Sequence, residues 1–534
     1  MNDRKVLLLG IDGLDPSLLI KLLDEGYLEN FSKVVEDGVS GYNKVFVPPL
    51  SPAIWTSLAT GLAPFQHGVL DFIETIKVKG RLRTVIYSFS VLRKKSVWDY
   101  LGIYGHKSIL VNYPLTYPPY PIRGILVSGF PSPKQNLTAY PSMIISELEK
   151  IVPNYKIEYI PPGNASIDSV KQMINEALKS MKKRVRLWKY LIRTYEWDFT
   201  SLVLTEIDRV QHIIFGCDCY CETLIKLYEG LDKVVGEILN TVEKYNPDIL
   251  VVSDHGFEKV DKYVSLPAIM ESLHIPYNSS TISSILKSKN IQKTVFLITK
   301  AKIMQLLISH LMKTNIFNIL DKALSPSSSV GQVVIQNNFS LKLLNGNKKI
   351  ITLLKKILSR IKDIETNQAI FDKVFTREEY INYILDEFAL RTDSIPEGSI
   401  NVIDHFPDLI LTTKSGYEPT INRLPKIVTS TNEGGKIRKT GTHCSMQASK
   451  GVFIACGPRV KKQTCKWCIE VGVLDIAPTI LALYGIGQPP HMYGKILTNI
   501  FDIEKRRKTT ERLLLKEKID RLFRRKRFYR RKEK

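Results

Sequence analysis

Short apolar runs rich in β-branched residues recur along the chain, and between them apolar residues return at every third or fourth position. The runs at 6–9, 108–111, 201–204, 249–252, 409–411 and 452–455 are almost wholly apolar, as expected of strands buried on both faces of a parallel sheet. The clearest helical stretch covers 222–245, where Leu224, Leu227, Leu231, Val234, Val235, Ile238, Leu239 and Val242 fall on one face. Strands alternating with helices predict an α/β/α sandwich around a mostly parallel central sheet.

The alternation breaks after about residue 265. Ser-rich pieces at 277–284 and 325–329 surround an apolar helical stretch, and 341–391 is Lys- and Glu-rich with helical periodicity. This predicts a catalytic core over 1–265 and 400–500, an inserted cap subdomain over 266–399, and a separate tail over 504–534. The stretch 295–311 is broken by Lys300 and Lys302, so it is not the roughly 18-residue apolar run of a membrane span. The N-terminal apolar run is too short for a secretory signal. A cytoplasmic protein, peripheral to the membrane at most, is the expectation.

Charge sharpens this division. The net charge is +23, and residues 504–534 hold 16 Lys and Arg against 5 Asp and Glu, leaving +12 for the first 503 residues. In the tail Leu515, Ile519, Leu522 and Phe523 form an apolar stripe among the cations, a pattern open to a solvated tail or to contact with an anionic membrane surface, and less suited to nucleic acid. Cys217, Cys219 and Cys221 alternate, and Cys465 and Cys468 form a C-x-x-C pair. No second pair has zinc-finger spacing, so reduced thiols are expected.

Candidate chemistry clusters where predicted strands end. Asp12 follows the first strand in Leu-Leu-Gly-Ile-Asp-Gly; a carboxylate beside glycines suits a hard cation. Ser51 precedes a predicted helix with Pro52 in its first turn, where free N–H groups and the helix dipole favour a phosphate. Asp208 and His212 are four residues apart on one helical turn and can face one ion. Asp254-His255-Gly256 follows the fourth strand, and His443 lies in a Gly-Thr-His loop before the last one. Ligands bind at the carboxyl ends of strands in open α/β sheets, so these motifs point to one edge. His67 reads as a helix-end structural residue; Asn112 and Lys450 are left unassigned.

In this order the motifs resemble the metal-site pattern of the alkaline phosphatase superfamily. The closer resemblance is to the type I phosphodiesterase/nucleotide pyrophosphatase group and its phosphohydrolase and phosphomutase relatives. Pro-Pro-Leu-Ser-Pro-Ala-Ile-Trp-Thr-Ser at 48–57, Val-Ser-Gly-Phe-Pro at 127–131 and Asp-Ile-Ala-Pro-Thr-Ile at 475–480 support it. The resemblance implies two divalent ions, Zn²⁺ or Mn²⁺. One is held by Asp208, His212 and His443, and the other by Asp12, Asp254 and His255 in contact with the Ser51 oxygen. It implies a phosphate-ester substrate and a phosphoseryl intermediate on Ser51 that water then hydrolyses.

Ser51 stands where nucleotide pyrophosphatases usually carry Thr, which weakens nucleotide specificity. The Ser/Cys-x-Pro-Ser-Arg element of sulfatases is absent. A phosphomutase is the alternative among enzymes, and a non-catalytic basic scaffold docking to membrane or nucleic acid is the alternative outside them.

Overall fold

The computed structural model describes residues 4–503 except 79–80, 90–93, 133–134, 162–166, 217–220, 274, 276, 280–332, 344–347, 391–405 and 432–439. Cys217, Cys219, the 295–311 stretch and the basic tail lie outside the described residues.

The central sheet has nine strands. From one edge they run Ile469–Gly472, Val39–Lys44, Lys450–Cys456, Asp248–Val252, Val6–Ile11, Phe199–Leu204, Ser108–Tyr113, Gly124–Ser128 and Ala139–Tyr140. Val6–Ile11 pairs in parallel with Phe199–Leu204 on one side and Asp248–Val252 on the other. Helices cover both faces, and the period-2 geometry of a strand divides its side chains between two cores. Val6 and Leu8 join one core, whereas Leu7, Leu9 and Ile11 join the other. Leu250 and Val252 separate from Ile249 and Val251 in the same way. This double burial explains the unbroken apolar runs, each large side chain contributing about 1.5–3 kcal/mol.

The helices Ser51–Thr60, Val97–Ile103 and Ile476–Leu483 pack on the first face. Pro16–Asp24, Glu29–Asp37, Ile167–Thr194, Glu206–Ile214 and Cys221–Val242 pack on the second. The helix expected at 222–245 is Cys221–Val242 with a 3₁₀ turn at Glu243–Tyr245. Among the described residues no helix is long and apolar enough to cross a membrane.

Two predicted strands behave differently from the parallel expectation. Lys450–Cys456 is antiparallel to both its neighbours in the central sheet. Leu409–Thr413 lies in a separate five-stranded sheet, antiparallel to Ser340–Leu343 and Phe371–Thr376. A continuous apolar run reports burial on both faces and carries no strand direction. The 341–391 stretch read as helical holds the helices Lys348–Leu358 and Arg377–Glu387, with the strand Phe371–Thr376 between them. The second sheet has its own core, built on Leu266, Ile269, Val333, Leu341, Leu354, Leu409 and Leu411.

A third, small sheet joins late segments to the strand that follows Asp248–Val252. Glu258–Ser265 pairs with Gly416–Thr420, Val428–Ser430 and Gly441–Thr442. Cys465 and Cys468, expected as reduced thiols, are joined as a disulfide with Cα atoms 5.8 Å apart. Cys444 and Cys456 are free and buried.

Candidate active site

The strands ending before Asp12, Asp208 and Asp254 are neighbours in the sheet, so three carboxylates project from one edge. Asp12 follows Ile11 directly, and its N–H continues the ladder to Leu204 O at 2.9 Å. Gly10 and Gly13 flank it for steric reasons. A Cβ on Gly10 would come within 2.5 Å of Trp55 in the Ser51 helix, and Gly13 has φ +69°. The Gly13 N–H donates to Asp254 Oδ1 at 3.1 Å, linking the first motif to the fourth.

Asp208 and His212 sit on Glu206–Ile214, with His212 Nε2 3.3 Å from Asp208 Oδ1. His443 arrives from the opposite side because Gly441 and Thr442 pair with Lys259 and Glu258, shortly after His255. The Thr440 N–H donates to His212 O at 2.9 Å and pins that loop to the helix. Ser51 is the first residue of Ser51–Thr60, one position further into the helix than expected, and Leu50 is the N-cap. Its Oγ lies 3.1 Å from His255 Nε2.

Two donor groups result. Asp208, His212 and His443 place ligand atoms within 4.8 Å of one another, and so do Asp12, Asp254 and His255. Asp208 Oδ1 is 3.9 Å from His255 Nε2, and the His255 and His443 rings stack with centroids 3.7 Å apart, so the groups adjoin. The six donor side chains and Ser51, chosen from widely separated motifs, are therefore brought together.

The environment fits divalent cations. Asp12 Oδ1, Asp208 Oδ1 and Asp254 Oδ2 are buried with no hydrogen-bond partner among the described residues. Leaving such oxygens unpaired is costly unless a positive charge meets them. Each histidine turns Nδ1 to a backbone carbonyl: His212 to Gly441 at 3.0 Å, His255 to Gly256 at 2.9 Å, and His443 to Pro49 at 2.8 Å. That fixes the proton on Nδ1 and leaves the Nε2 lone pair for a metal. Burial, then Asp254 and Asp208, raise the Asp12 carboxyl well above the usual range. Burial and Asp208 push Asp254 up to about 7. Burial alone would raise Asp208 as well, but His212, Arg209, His255 and His443 hold it below the usual range.

A family model for type I phosphodiesterase / nucleotide pyrophosphatase matches residues 6–445, which takes in every one of these side chains. The chain belongs to this family. No curated protein sequence matches it. Among solved structures it is similar to phosphonoacetate hydrolase from Sinorhizobium meliloti 1021, at 14% identity and TM-score 0.53 over 89% of this chain and 94% of that one. Murine ectonucleotide pyrophosphatase / phosphodiesterase 5 matches at 14% identity and TM-score 0.51 over 94% and 100%. The alkaline phosphatase PafA matches at 13% identity and TM-score 0.55 over 93% and 99%. At such identities the structures speak for the fold, which is alkaline phosphatase-like; the family places the chain among phosphoric ester hydrolases of that superfamily.

Within this family member, three further residues shape the site. Arg209 donates to Asp208 Oδ2 at 2.8 Å and to Glu158 Oε1 at 2.7 Å, and lies over the Phe130 ring at 4.9 Å. It thereby holds the Asp208 carboxylate with its other oxygen facing the donor group. Gln211 donates to Gly13 O at 2.6 Å and accepts from Tyr228 at 2.6 Å, bracing the Asp12 turn. Asp15 accepts from Phe257 N at 2.9 Å, two residues after His255. The residues left aside stay outside the donor groups. His67 is buried and bonded to Ser57 Oγ at 3.0 Å; Asn112 is buried at φ 60°, donating to Val203 O at 3.0 Å. Lys450 pairs with Glu470 at 3.3 Å on the surface.

Proposed function

We propose that the chain hydrolyses phosphate mono- or diesters by transferring the phosphoryl group to Ser51 and then to water. Asp208, His212 and His443 would hold one divalent ion, and Asp12, Asp254 and His255 the other, with Zn²⁺ or Mn²⁺ suited to this mixed donor set. When bound, the ions supply Lewis-acid charge that lowers the proton affinity of a hydroxyl and offsets charge on phosphoryl oxygens.

The observation that carries the reading is the position of Ser51. Its Oγ lies beside His255 at 3.1 Å, and it opens a ten-residue helix. The helix N-terminus presents backbone N–H groups and a positive dipole end to an incoming phosphate. The Ser51 Oγ–P bond would form as the ester P–O bond breaks, the alcohol leaving with the proton given up by Ser51. Water would then displace Oγ from phosphorus, releasing phosphate from a monoester or a phosphate monoester from a diester and restoring the hydroxyl. The histidines keep their protons on Nδ1 throughout, held by Gly441, Gly256 and Pro49, so ring orientation stays fixed. A cytoplasmic location at the membrane periphery belongs to the same reading.

The test compares p-nitrophenyl phosphate with bis-p-nitrophenyl phosphate, with Zn²⁺, Mn²⁺ or Mg²⁺ added. We expect EDTA-sensitive turnover that falls by at least about a thousandfold in Ser51→Ala. A variant with undiminished turnover would overturn the assignment of the nucleophile.

A further inference from the structure

The +12 net charge of residues 1–503 is not evenly spread: Ile167–Thr194 holds eight Lys and Arg against two acidic residues, a net of +6. Half of that excess therefore lies on one helix. Arg184 is the exception in placement, fully buried against Glu206. Lys179, Lys182, Arg186, Lys189 and Arg193 are spaced three and four residues apart, so they line a single side. Lys179, Lys182, Arg186 and Arg193 are exposed, as is Lys183 beside them.

Partners consume only part of this charge. Lys179 meets Glu176 at 2.8 Å and Lys189 meets Glu237 at 2.8 Å. Lys182, Arg186, Arg193 and Lys233 have no ion-pair partner among the described residues. At its far end the stripe opens into a cleft of about 420 Å³ lined by Asn30, Lys189, Arg193, Lys233, Glu237 and Asn240. Lys233 belongs to the neighbouring helix Cys221–Val242, so the charge extends across two helices.

We propose that this face docks the protein onto the anionic surface of a lipid bilayer. From Lys179 to Arg193 the row runs about 21 Å along the helix, a linear array suited to a plane of headgroups. Among its described residues the helix exposes no apolar side chain. Tyr190 is half-buried with its hydroxyl engaged by Glu147. Proteins that hold single-stranded nucleic acid add exposed rings on which bases stack, and among the described residues this helix has no fully exposed ring. The contact is thus electrostatic, without insertion, and is weakened by salt. It is independent of the 504–534 tail and of the proposed chemistry at Ser51.

The experiment is sedimentation of the full chain with phosphatidylcholine vesicles containing about 30% phosphatidylglycerol, or none, at low and high salt. The parent is compared with Lys182→Gln/Arg186→Gln/Arg193→Gln/Lys233→Gln, and with a variant carrying four Gln replacements at Arg524, Arg525, Lys526 and Arg527. We expect salt-sensitive binding to anionic vesicles only, weakened at least about tenfold by the helix replacements in either tail background. Ester hydrolysis in solution should be unchanged, which reports the fold. Hydrogen exchange of the unmodified chain should slow over 179–193 when anionic vesicles are present. Equal sedimentation of the parent and the helix variant, or no protection over 179–193, would overturn the proposal. So would tighter binding of this face to an oligoribonucleotide than to the vesicles.

Discussion

His67 and His255 lie beside serines at similar distances, 3.0 Å from Ser57 Oγ and 3.1 Å from Ser51 Oγ. Their settings differ. Among the described residues no carboxylate pairs with His67; its Nδ1 accepts from Val69 N at 3.1 Å, and burial, with Lys94 adding to it, lowers its pKa to about 3. The unfolded chain binds that proton near pH 6.5, so His67 favours folding above that value and this contribution is lost as pH falls toward 3. The limit is about 5 kcal/mol. His67→Gln should therefore show a flatter loss of stability between pH 6.5 and 4 in urea unfolding; parallel pH profiles would contradict this. Arg209, like Gln211 and Asp15, is a residue that sequence reading missed. An Arg beside an Asp on an amphipathic helix looks solvated, and its partners Glu158 and Phe130 lie 51 and 79 positions away in the chain. Arg209→Met should weaken metal binding at the Asp208 group about 10–100-fold, with turnover recovering in excess metal. An unchanged metal titration would rule out that positioning role. Asp12, Asp254 and His255 stood out in the sequence because each is a ligand type within three residues of a strand's carboxyl end.

At the scale of elements, the helix Glu206–Ile214 presents two donors and is anchored from behind. Glu206 accepts from Arg184 Nε and from Ser180 Oγ, both at 2.7 Å, and its other oxygen accepts Thr205 N at 3.0 Å. Arg184 and Glu206 are fully buried. Arg184→Met strands the carboxylate and should cost about 3–5 kcal/mol in urea unfolding, whereas adding Glu206→Gln should recover much of that. A single variant within 1 kcal/mol of the parent would contradict the burial argument. Helix periodicity was readable because one face is polar: Cys221–Val242 came out within three residues of its expected bounds. Strand direction was not readable. The buried runs 409–411 and 452–455 look alike, yet Leu409–Thr413 serves the second sheet and Lys450–Cys456 the central one. Phe371–Thr376 escaped notice because only Phe371 and Val374 along it are buried.

For the whole molecule, the decisive feature is topology. The strand order places Asp248–Val252, Val6–Ile11 and Phe199–Leu204 side by side, although the 236 residues 12–247 lie between the first of these strands in the chain and the last. Gly441–Thr442 then carries His443 onto the same edge through its pairing with Glu258 and Lys259. Motif order implied this convergence through family resemblance, whereas the return path of the Gly441 loop depends on a small sheet that no local pattern announces. Anomalous diffraction from crystals of the full chain grown with Zn²⁺ or Mn²⁺ addresses the central claim directly. We predict two peaks about 4 Å apart, one within bonding distance of Asp208, His212 and His443, the other of Asp12, Asp254 and His255. No peak at this edge, or ions bound by other side chains, would contradict the account.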